Sequence, residues 1–210
     1  MTFGVSGYDY LPSLLDEREL SYLSATLDDS FEDKYVEYDE GRGMIKMLYK
    51  PPCAEQYHQR VQYFLQSYLR MQLLPTYWFC TRYFNQSYMA AHTDRDACEI
   101  SVSLNVQRDK PWDLQIKDRF GKKHRFDTPP GDGVLYHGVD LEHWRTPYRG
   151  QQYTQLFFHY VRATGSYNRE QGDRRWSNPA IWLCRARVWR VQHVLSRLPL
   201  RWGIWSSVLP

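Results

Sequence analysis

The sequence predicts a mainly β domain with flanking helices, built as a sandwich or jelly roll. From about residue 76 onward, short segments rich in aromatic and β-branched residues alternate with turn signals. Two segments before residue 76 carry apolar residues at helical spacing instead. The chain has 210 residues, 42% of them hydrophobic and 24% charged, which is enough for one domain with a substantial core.

Two helices are predicted ahead of the strands. In the first, Ser13 can cap the amino end while Asp16 returns the hydrogen bond, and leucines continue one face. The second follows Pro51-Pro52 and is expected to end at Pro75. Its apolar residues recur at steps of four and three, namely Tyr57, Val61, Phe64, Tyr68 and Met71. Between the helices, the acidic and glycine-bearing residues 28–50 predict an irregular connection with short strands.

The predicted strands are short and are separated by turns that contain Gly, Pro and Asp. They cover residues 77–84, 100–106, 114–117, 125–126, 134–136 and 152–161. Short strands of this kind favour two packed sheets, which the early helices would cover on one side.

One domain is predicted over residues 1–173, with a helical brace at 1–75 and a β core at 76–162. Residues 174–210 form a separate unit with seven arginines and no acid, and their apolar residues are spaced as in an amphipathic helix. We expect this basic tail to pack on the domain. The second alternative is contact with another subunit. The third is peripheral contact with an anionic membrane through residues 174–205.

Bulk properties exclude several classes of protein. No apolar run approaches the length of a transmembrane segment, so an integral membrane protein is not expected. The amino terminus lacks the pattern of a signal peptide. The four cysteines have no paired spacing, which argues against a disulfide framework and a thiolate zinc site and favours a cytoplasmic location. Residues 1–173 carry 20 basic and 24 acidic side chains, so nucleic acid is not an expected partner, and the oligomeric state is left open.

The motif that carries chemistry is His92-Thr93-Asp94. In an extended segment, residues two apart point to the same side, so the imidazole of His92 and the carboxylate of Asp94 can bind one metal ion. A second imidazole would complete a set of two histidines and one carboxylate. On Fe(II), such a set leaves several coordination positions open for substrate and dioxygen.

Three later histidines are candidates for the third ligand. His159 lies late in its predicted strand, far from the entry loop, and His137 lies in a turn directly after a strand. His143 follows a loop, where a site at the mouth of a barrel would be built. We therefore prefer His143 as the third metal ligand, while spacing alone leaves the other two open.

Two longer segments surround these candidate ligands. In the first, Tyr83 stands nine residues before His92. In the second, a turn and a short apolar strand at 130–136 lead to Glu142-His143-Trp144-Arg145. Over about residues 76–162, this pattern resembles the prolyl-hydroxylase-like 2-oxoglutarate/Fe(II) dioxygenases. The resemblance implies a double-stranded β-helix, a cupin-like jelly roll, with iron held at one mouth by His92, Asp94 and His143.

In one respect the chain departs from this family. A basic residue on the last strand usually binds the distal carboxylate of 2-oxoglutarate, but the corresponding positions here hold Gln152, Tyr153 and Thr154. A buried carboxylate needs a paired charge. Arg145, two residues after His143, is our preferred substitute because its planar fork suits a carboxylate, and Arg149 is the alternative. Tyr83 is expected to donate its hydroxyl to the same carboxylate.

The resemblance implies a 2-oxoglutarate- and Fe(II)-dependent dioxygenase. Such an enzyme hydroxylates an unactivated C–H bond of a small molecule or a peptide side chain, using O2 and releasing succinate and CO2; ascorbate is a further candidate cofactor. Two alternatives stay open: a cupin-like metal enzyme that does not use 2-oxoglutarate, and a non-catalytic binding module on the same fold. Residues 31–50 and 107–127 are candidate lids, and the basic cluster in the second would either attract an acidic substrate or form a solvated hairpin edge.

Overall fold

Two antiparallel sheets dominate the structure, a computed structural model that describes residues 3–173. The strands are β1 (Tyr8–Leu11), β2 (Glu37–Asp39), β3 (Gly43–Tyr49), β4 (Leu73–Phe84), β5 (Met89–His92), β6 (Ile100–Arg108), β7 (Leu114–Lys117), β8 (Lys123–Phe126), β9 (Gly133–Tyr136), β10 (His143–Arg145) and β11 (Gln152–Arg162). The larger sheet has the order β1-β9-β6-β11-β4-β3-β2, and the smaller sheet has the order β5-β10-β7-β8. From β4 onward the chain passes back and forth between the two sheets, as in a jelly roll. The predicted fold class and strand segments are confirmed.

After one turn of helix, α1 (Phe3–Ser6), the first long helix is α2 (Glu17–Glu32). Asp16 Oδ1 accepts the backbone N–H of Glu19 at 2.8 Å, and the Glu19 carboxylate accepts the backbone N–H of Asp16 at 3.1 Å. The predicted cap at Ser13 is wrong, because Ser13, with a φ of 51°, lies in the turn before this capping box. The buried face of the helix consists of Leu23, Leu27 and Phe31.

The second long helix, α3 (Glu55–Leu69), buries Tyr57, His58, Val61 and Leu65. Positions four apart stay on one face of a helix, which is why Leu65 is buried and Phe64, from the predicted stripe, is 41% exposed. Arg70 ends the helix in the left-handed conformation. The predicted stop at Pro75 is therefore wrong, and Pro75 lies inside β4.

The predicted helical brace at 1–75 is only partly helical. β1, β2, β3 and the start of β4 all belong to the seven-stranded sheet. β3 pairs with β4 from Ile45 opposite Tyr83 to Tyr49 opposite Phe79, and β1 pairs with β9. Because these strands are short and some partners lie far along the chain, they leave little local pattern in the sequence.

The main hydrophobic core lies between the long helices and the outer face of the larger sheet. Side chains alternate along β11, so that Leu156, Phe158 and Tyr160 join this core whereas Phe157 and His159 face a cavity on the other side. The inner face of the larger sheet therefore carries aromatic and polar side chains that are free to form a site.

The basic tail at 174–210 lies outside the described residues, together with its predicted contacts to the domain, a subunit or a membrane. Within residues 3–173, no helix combines the length and apolarity needed to cross a bilayer.

His58 is a buried histidine that links α3 to β11. Its Nε2–H donates to the carbonyl oxygen of His159 at 3.2 Å, and its ring stacks on Tyr160 at a centroid distance of 4.7 Å. Burial lowers the pKa of His58 from 6.5 to about 4, although the hydrogen bond to the backbone opposes this shift. The folded protein therefore keeps His58 neutral at pH values where the unfolded chain protonates it.

We predict that His58→Gln makes the free energy of unfolding less dependent on pH between pH 7 and pH 5. Below about pH 6.5 the unfolded wild-type chain binds a proton at His58 while the folded chain does not, so this group lowers stability by about 2 kcal/mol at pH 5. Glutamine keeps a donor for the His159 carbonyl but does not titrate. The loss of stability that His58 causes between pH 7 and pH 5 should therefore disappear in the variant. Urea unfolding at pH 7 and pH 5 gives the free energy of unfolding of each protein at both pH values. An equal decrease from pH 7 to pH 5 in the variant and the wild type would contradict the prediction.

Candidate metal centre

Two neighbouring strands bring the predicted histidines together. β5 ends at His92 and β10 begins at His143, and antiparallel pairing places these residues directly opposite each other. Their ring centroids are 4.3 Å apart, although the residues are distant in the sequence. The smaller sheet thus positions the two imidazoles side by side.

Asp94 completes the group from the loop after β5. Its backbone N–H donates to the Gly138 carbonyl at 2.8 Å, and its Oδ1 lies 3.6 Å from His92 Nε2 and 3.7 Å from His143 Nε2. The candidate ligand atoms of the three residues all lie within 4.8 Å of one another. Glycine is required at position 138, because a Cβ there would overlap Asp94 Oδ2 and the Cys98 carbonyl. The structure therefore brings the three predicted metal ligands together.

Backbone hydrogen bonds set the tautomer of both histidines. The Nδ1–H of His92 donates to the Ala90 carbonyl at 2.7 Å, and the Nδ1–H of His143 donates to the Leu141 carbonyl at 2.9 Å. Since a carbonyl can only accept, the proton of each neutral ring lies on Nδ1 and the lone pair on Nε2. Metal-binding histidines in proteins are commonly oriented in this way.

The electrostatics keep Asp94 ionised. Burial raises the pKa of this carboxyl. The contact with His92 and the nearby imidazoles of His143 and His159 have a larger, opposite effect, and the resulting pKa is about 2. The same contact raises the pKa of His92, whereas burial lowers the pKa of His143. A half-buried carboxylate beside two imidazoles is a donor set that a divalent cation would neutralise.

A cavity of about 330 Å³ opens beside these three residues. Its wall on the larger sheet consists of cross-strand neighbours from β4 and β11, with Phe79 opposite Phe157 and Tyr77 opposite His159. The Phe79 and Phe157 rings are stacked at a centroid distance of 4.6 Å. The remaining lining residues are Asp39, Gly41, Arg42, Tyr83, Met89, Ala90 and Tyr136. Most of this wall is aromatic, and the candidate metal ligands form part of it.

The other two candidate histidines take different places. His137 stacks on Phe3 at 4.4 Å and is not part of the group. His159 lies late in β11, as predicted, and its ring lines the cavity. Its Nδ1 lies 2.9 Å from the Ser101 hydroxyl, which lies 3.2 Å from Asp94 Oδ2. The reason is the pairing of β11 with β6, which puts His159 opposite Ser101.

Tyr83 and Arg145, the predicted 2-oxoglutarate contacts, are both buried. Tyr83 lines the cavity; burial raises the pKa of its hydroxyl, while the Arg42 and Arg145 guanidinium groups lower it. Arg145 is 2% exposed and lies over the rings of Trp112 and Tyr153, 4.8 and 5.0 Å from their centroids. Its Nη1 donates to the Trp112 carbonyl, but Nη2 has no hydrogen-bond partner among residues 3–173. A buried guanidinium with a free donor is suited to an anion.

Arg42 is a cavity residue that sequence reasoning missed. It lies in the turn between β2 and β3, within the predicted lid at 31–50, and pairs with Asp39 at 2.9 Å. Gly41 and Gly43 indicate a turn within this candidate lid, but nothing in the sequence singles out Arg42 as the residue that lines the cavity.

The remaining predicted basic groups lie elsewhere. Arg149, the alternative carboxylate partner, is exposed. Basic residues of 107–127 form ion pairs, namely Arg108 with Asp127, Lys117 with Glu142, Arg119 with Asp140 and Arg125 with Asp113. These pairs favour a solvated hairpin edge over a site for an acidic substrate.

Comparisons with known proteins place this geometry in context. No family model matches the chain, and no curated protein matches it. Among solved structures, a prolyl-4-hydroxylase from Pseudomonas putida is 16% identical with a TM-score of 0.63, covering 77% of this chain and 95% of that chain. A prolyl hydroxylase from Trichoplax adhaerens, in complex with a hypoxia inducible factor peptide fragment, is 12% identical with a TM-score of 0.65, covering 81% and 88%. The epimerase SnoN, in complex with Fe3+, α-ketoglutarate and nogalamycin RO, is 12% identical with a TM-score of 0.62, covering 77% and 81%.

The fold is that of the 2-oxoglutarate/Fe(II) oxygenases. In the terms of this oxygenase fold, the two sheets form a double-stranded β-helix. At these identities the likeness concerns the fold, so the roles of individual residues rest on the geometry described above. Two imidazole nitrogens and one carboxylate oxygen are a donor set that Fe(II) accepts, and the residues present therefore fit this metal.

Proposed function

We propose that this chain is a 2-oxoglutarate- and Fe(II)-dependent dioxygenase that hydroxylates an unactivated C–H bond of a small molecule or a peptide side chain. His92, Asp94 and His143 would hold the metal. The observation that carries the proposal is their convergence, with both Nε2 atoms less than 4 Å from the same carboxylate oxygen. With Fe(II), 2-oxoglutarate and O2 bound, the chemistry supplied is oxidative decarboxylation to succinate and CO2, coupled to hydroxylation.

In this proposal, Arg145 and Tyr83 bind the distal carboxylate of 2-oxoglutarate. Nη2 of Arg145 is a buried donor with no hydrogen-bond partner among residues 3–173, and the Tyr83 hydroxyl is a donor on the cavity wall. Arg145 itself does not line the cavity, but its charge acts on Tyr83. Tyr153 occupies one of the positions where the resembled family carries its basic residue. Its ring packs against the Arg145 guanidinium and holds that plane in place. The basic residue that pairs with the distal carboxylate would thus lie on β10 and not on β11.

The aromatic wall has two roles in this proposal. Phe79 and Phe157 form a flat, apolar surface that would orient the hydrocarbon part of a substrate. In the second role, together with Tyr136, they would make this side of the cavity apolar, which disfavours water there. The solved structures with this fold include complexes with a peptide fragment and with a small molecule, so both substrate classes are retained.

A metal enzyme that does not use 2-oxoglutarate is the second candidate function. The observation in its favour is the absence of a cation at Gln152, Tyr153 and Thr154 on β11. The two candidates differ in whether 2-oxoglutarate binds next to the metal.

Anaerobic titration of the Fe(II)-loaded protein with 2-oxoglutarate separates the two candidates. We predict a visible charge-transfer band that saturates with 2-oxoglutarate, and slow formation of succinate once O2 and ascorbate are added. Asp94→Ala should abolish both signals, whereas His124→Ala, at a histidine outside the cavity, should keep them. Bound iron whose spectrum does not respond to 2-oxoglutarate would reject the dioxygenase and favour the second candidate.

We predict that Arg145→Gln raises the Kd for 2-oxoglutarate by at least about 30-fold, since a buried charge pair that loses one partner loses roughly 2 kcal/mol or more. Arg145→Lys should recover part of the affinity because it keeps the charge but not the planar fork. Arg149→Gln is the matched control at an exposed arginine and should bind as the wild type does. Weakened binding in Arg149→Gln with unchanged binding in Arg145→Gln would transfer the role to Arg149.

A further inference from the structure

The two carboxylate oxygens of Asp94 face different groups of side chains. Oδ1 lies next to the Nε2 atoms of His92 and His143, at 3.6 and 3.7 Å. Oδ2 lies on the other side, 3.2 Å from the Ser101 hydroxyl. A carboxylate in this position can serve one cation with each oxygen.

A second group of potential ligands lies on the Oδ2 side. Cys98, at the end of a short 3-10 helix, and His159, on β11, are each 2% exposed. Ligand atoms from Asp94, Cys98 and His159 all lie within 4.8 Å of one another, as do those from His92, Asp94 and His143. Asp94 and Cys98 lie four residues apart, but His159 comes from the last strand, so no single short motif marks the group in the sequence.

The two ring nitrogens of His159 have different surroundings. Its Nδ1 lies 2.9 Å from Ser101 Oγ, while its Nε2 is buried and has no hydrogen-bond partner among residues 3–173. Ser101 has one hydroxyl proton, and its oxygen neighbours, Asp94 Oδ2 and the Cys98 carbonyl, can only accept. The Ser101 hydroxyl therefore donates to one of these oxygens, and its own oxygen accepts the Nδ1–H of His159. The lone pair of His159 is then on Nε2, as in His92 and His143.

Burial and the Asp94 carboxylate raise the pKa of the Cys98 thiol, so this residue is a thiol until a cation binds, while Tyr77 and Arg95 oppose the shift. The Tyr77 hydroxyl lies 3.2 Å from Cys98 Sγ and can donate to it. The Arg95 guanidinium lies over the Tyr77 ring, 4.4 Å from its centroid, and adds positive charge nearby. A cation that binds Cys98 displaces the thiol proton to solvent, and the thiolate then keeps the Tyr77 hydrogen bond.

We propose that Asp94, Cys98 and His159 form a second metal site that takes Zn2+ or a similar borderline-soft divalent cation, and that Asp94 bridges this site to the His92–His143 site. Thiolate, imidazole and carboxylate are the three ligand types that Zn2+ uses in proteins. The second site does not depend on binding of 2-oxoglutarate. Because the two sites share Asp94, Zn2+ bound to Oδ2 at the second site would reduce the negative charge that Oδ1 offers to a metal at the first site.

Co2+ titration of the purified full-length chain tests this proposal, because a cobalt–thiolate bond gives a near-ultraviolet charge-transfer band that imidazole and carboxylate ligands do not. We expect two equivalents of Co2+ and a thiolate band in the wild type. Cys98→Ser should bind one equivalent without the band. The matched controls are Cys53→Ser and Cys184→Ser, which remove a thiol at other positions and should keep two equivalents and the band.

Two further variants make the outcome decisive. His159→Gln removes the imidazole but keeps the thiol, and should bind one equivalent with a lost or strongly weakened band, which covers the case in which Cys98→Ser fails to fold. His92→Ala should bind one equivalent and keep the band. A wild type without a thiolate band, or a band that survives Cys98→Ser, would overturn the second site. A wild type that binds one equivalent with a band insensitive to His92→Ala would support the second site and contradict the proposed iron site.

Discussion

The pairing of β5 with β10 is the constraint on which the site depends. These strands have four and three residues, yet their register places His143 opposite His92 and sets the distance between the two imidazoles. Backbone carbonyls then orient both rings, and Gly138 leaves room for Asp94 to approach. A shift of one residue in this register would turn one imidazole to the opposite face of the sheet and dissolve the group.

The sequence predicts well what local pattern determines. The strand segments, the His92-Thr93-Asp94 motif and the choice of His143 all follow from short-range spacing, turn residues and a family resemblance. Features that depend on long-range pairing were missed or misplaced. The sequence does not indicate that β1 and β3 belong to the larger sheet, nor that β11 brings His159 beside Asp94 through Ser101. Local propensity carries no information about which strand becomes the neighbour.

Unpaired polarity inside the barrel connects stability to function. Arg145 keeps a buried donor without a partner, His159 keeps a buried Nε2 without a partner among residues 3–173, and Asp94 stays ionised. The two buried atoms without a partner destabilise the folded chain unless a ligand of opposite polarity binds them, whereas the contacts that lower the pKa of Asp94 favour its charged form. A ligand that binds only the folded chain, such as an anion at Arg145 or a cation at Asp94, would stabilise the fold as it binds.

Anomalous diffraction at the iron absorption edge would show whether His92, Asp94 and His143 hold one ferrous ion. Crystals of the full-length chain grown anaerobically with Fe(II) should give their strongest peak between the three side chains. We expect it roughly 2 Å from Nε2 of His92, Nε2 of His143 and Oδ1 of Asp94, the usual length of such metal–ligand bonds. A strongest peak beyond reach of both imidazoles, or bound to Cys98 and His159 alone, would contradict the account.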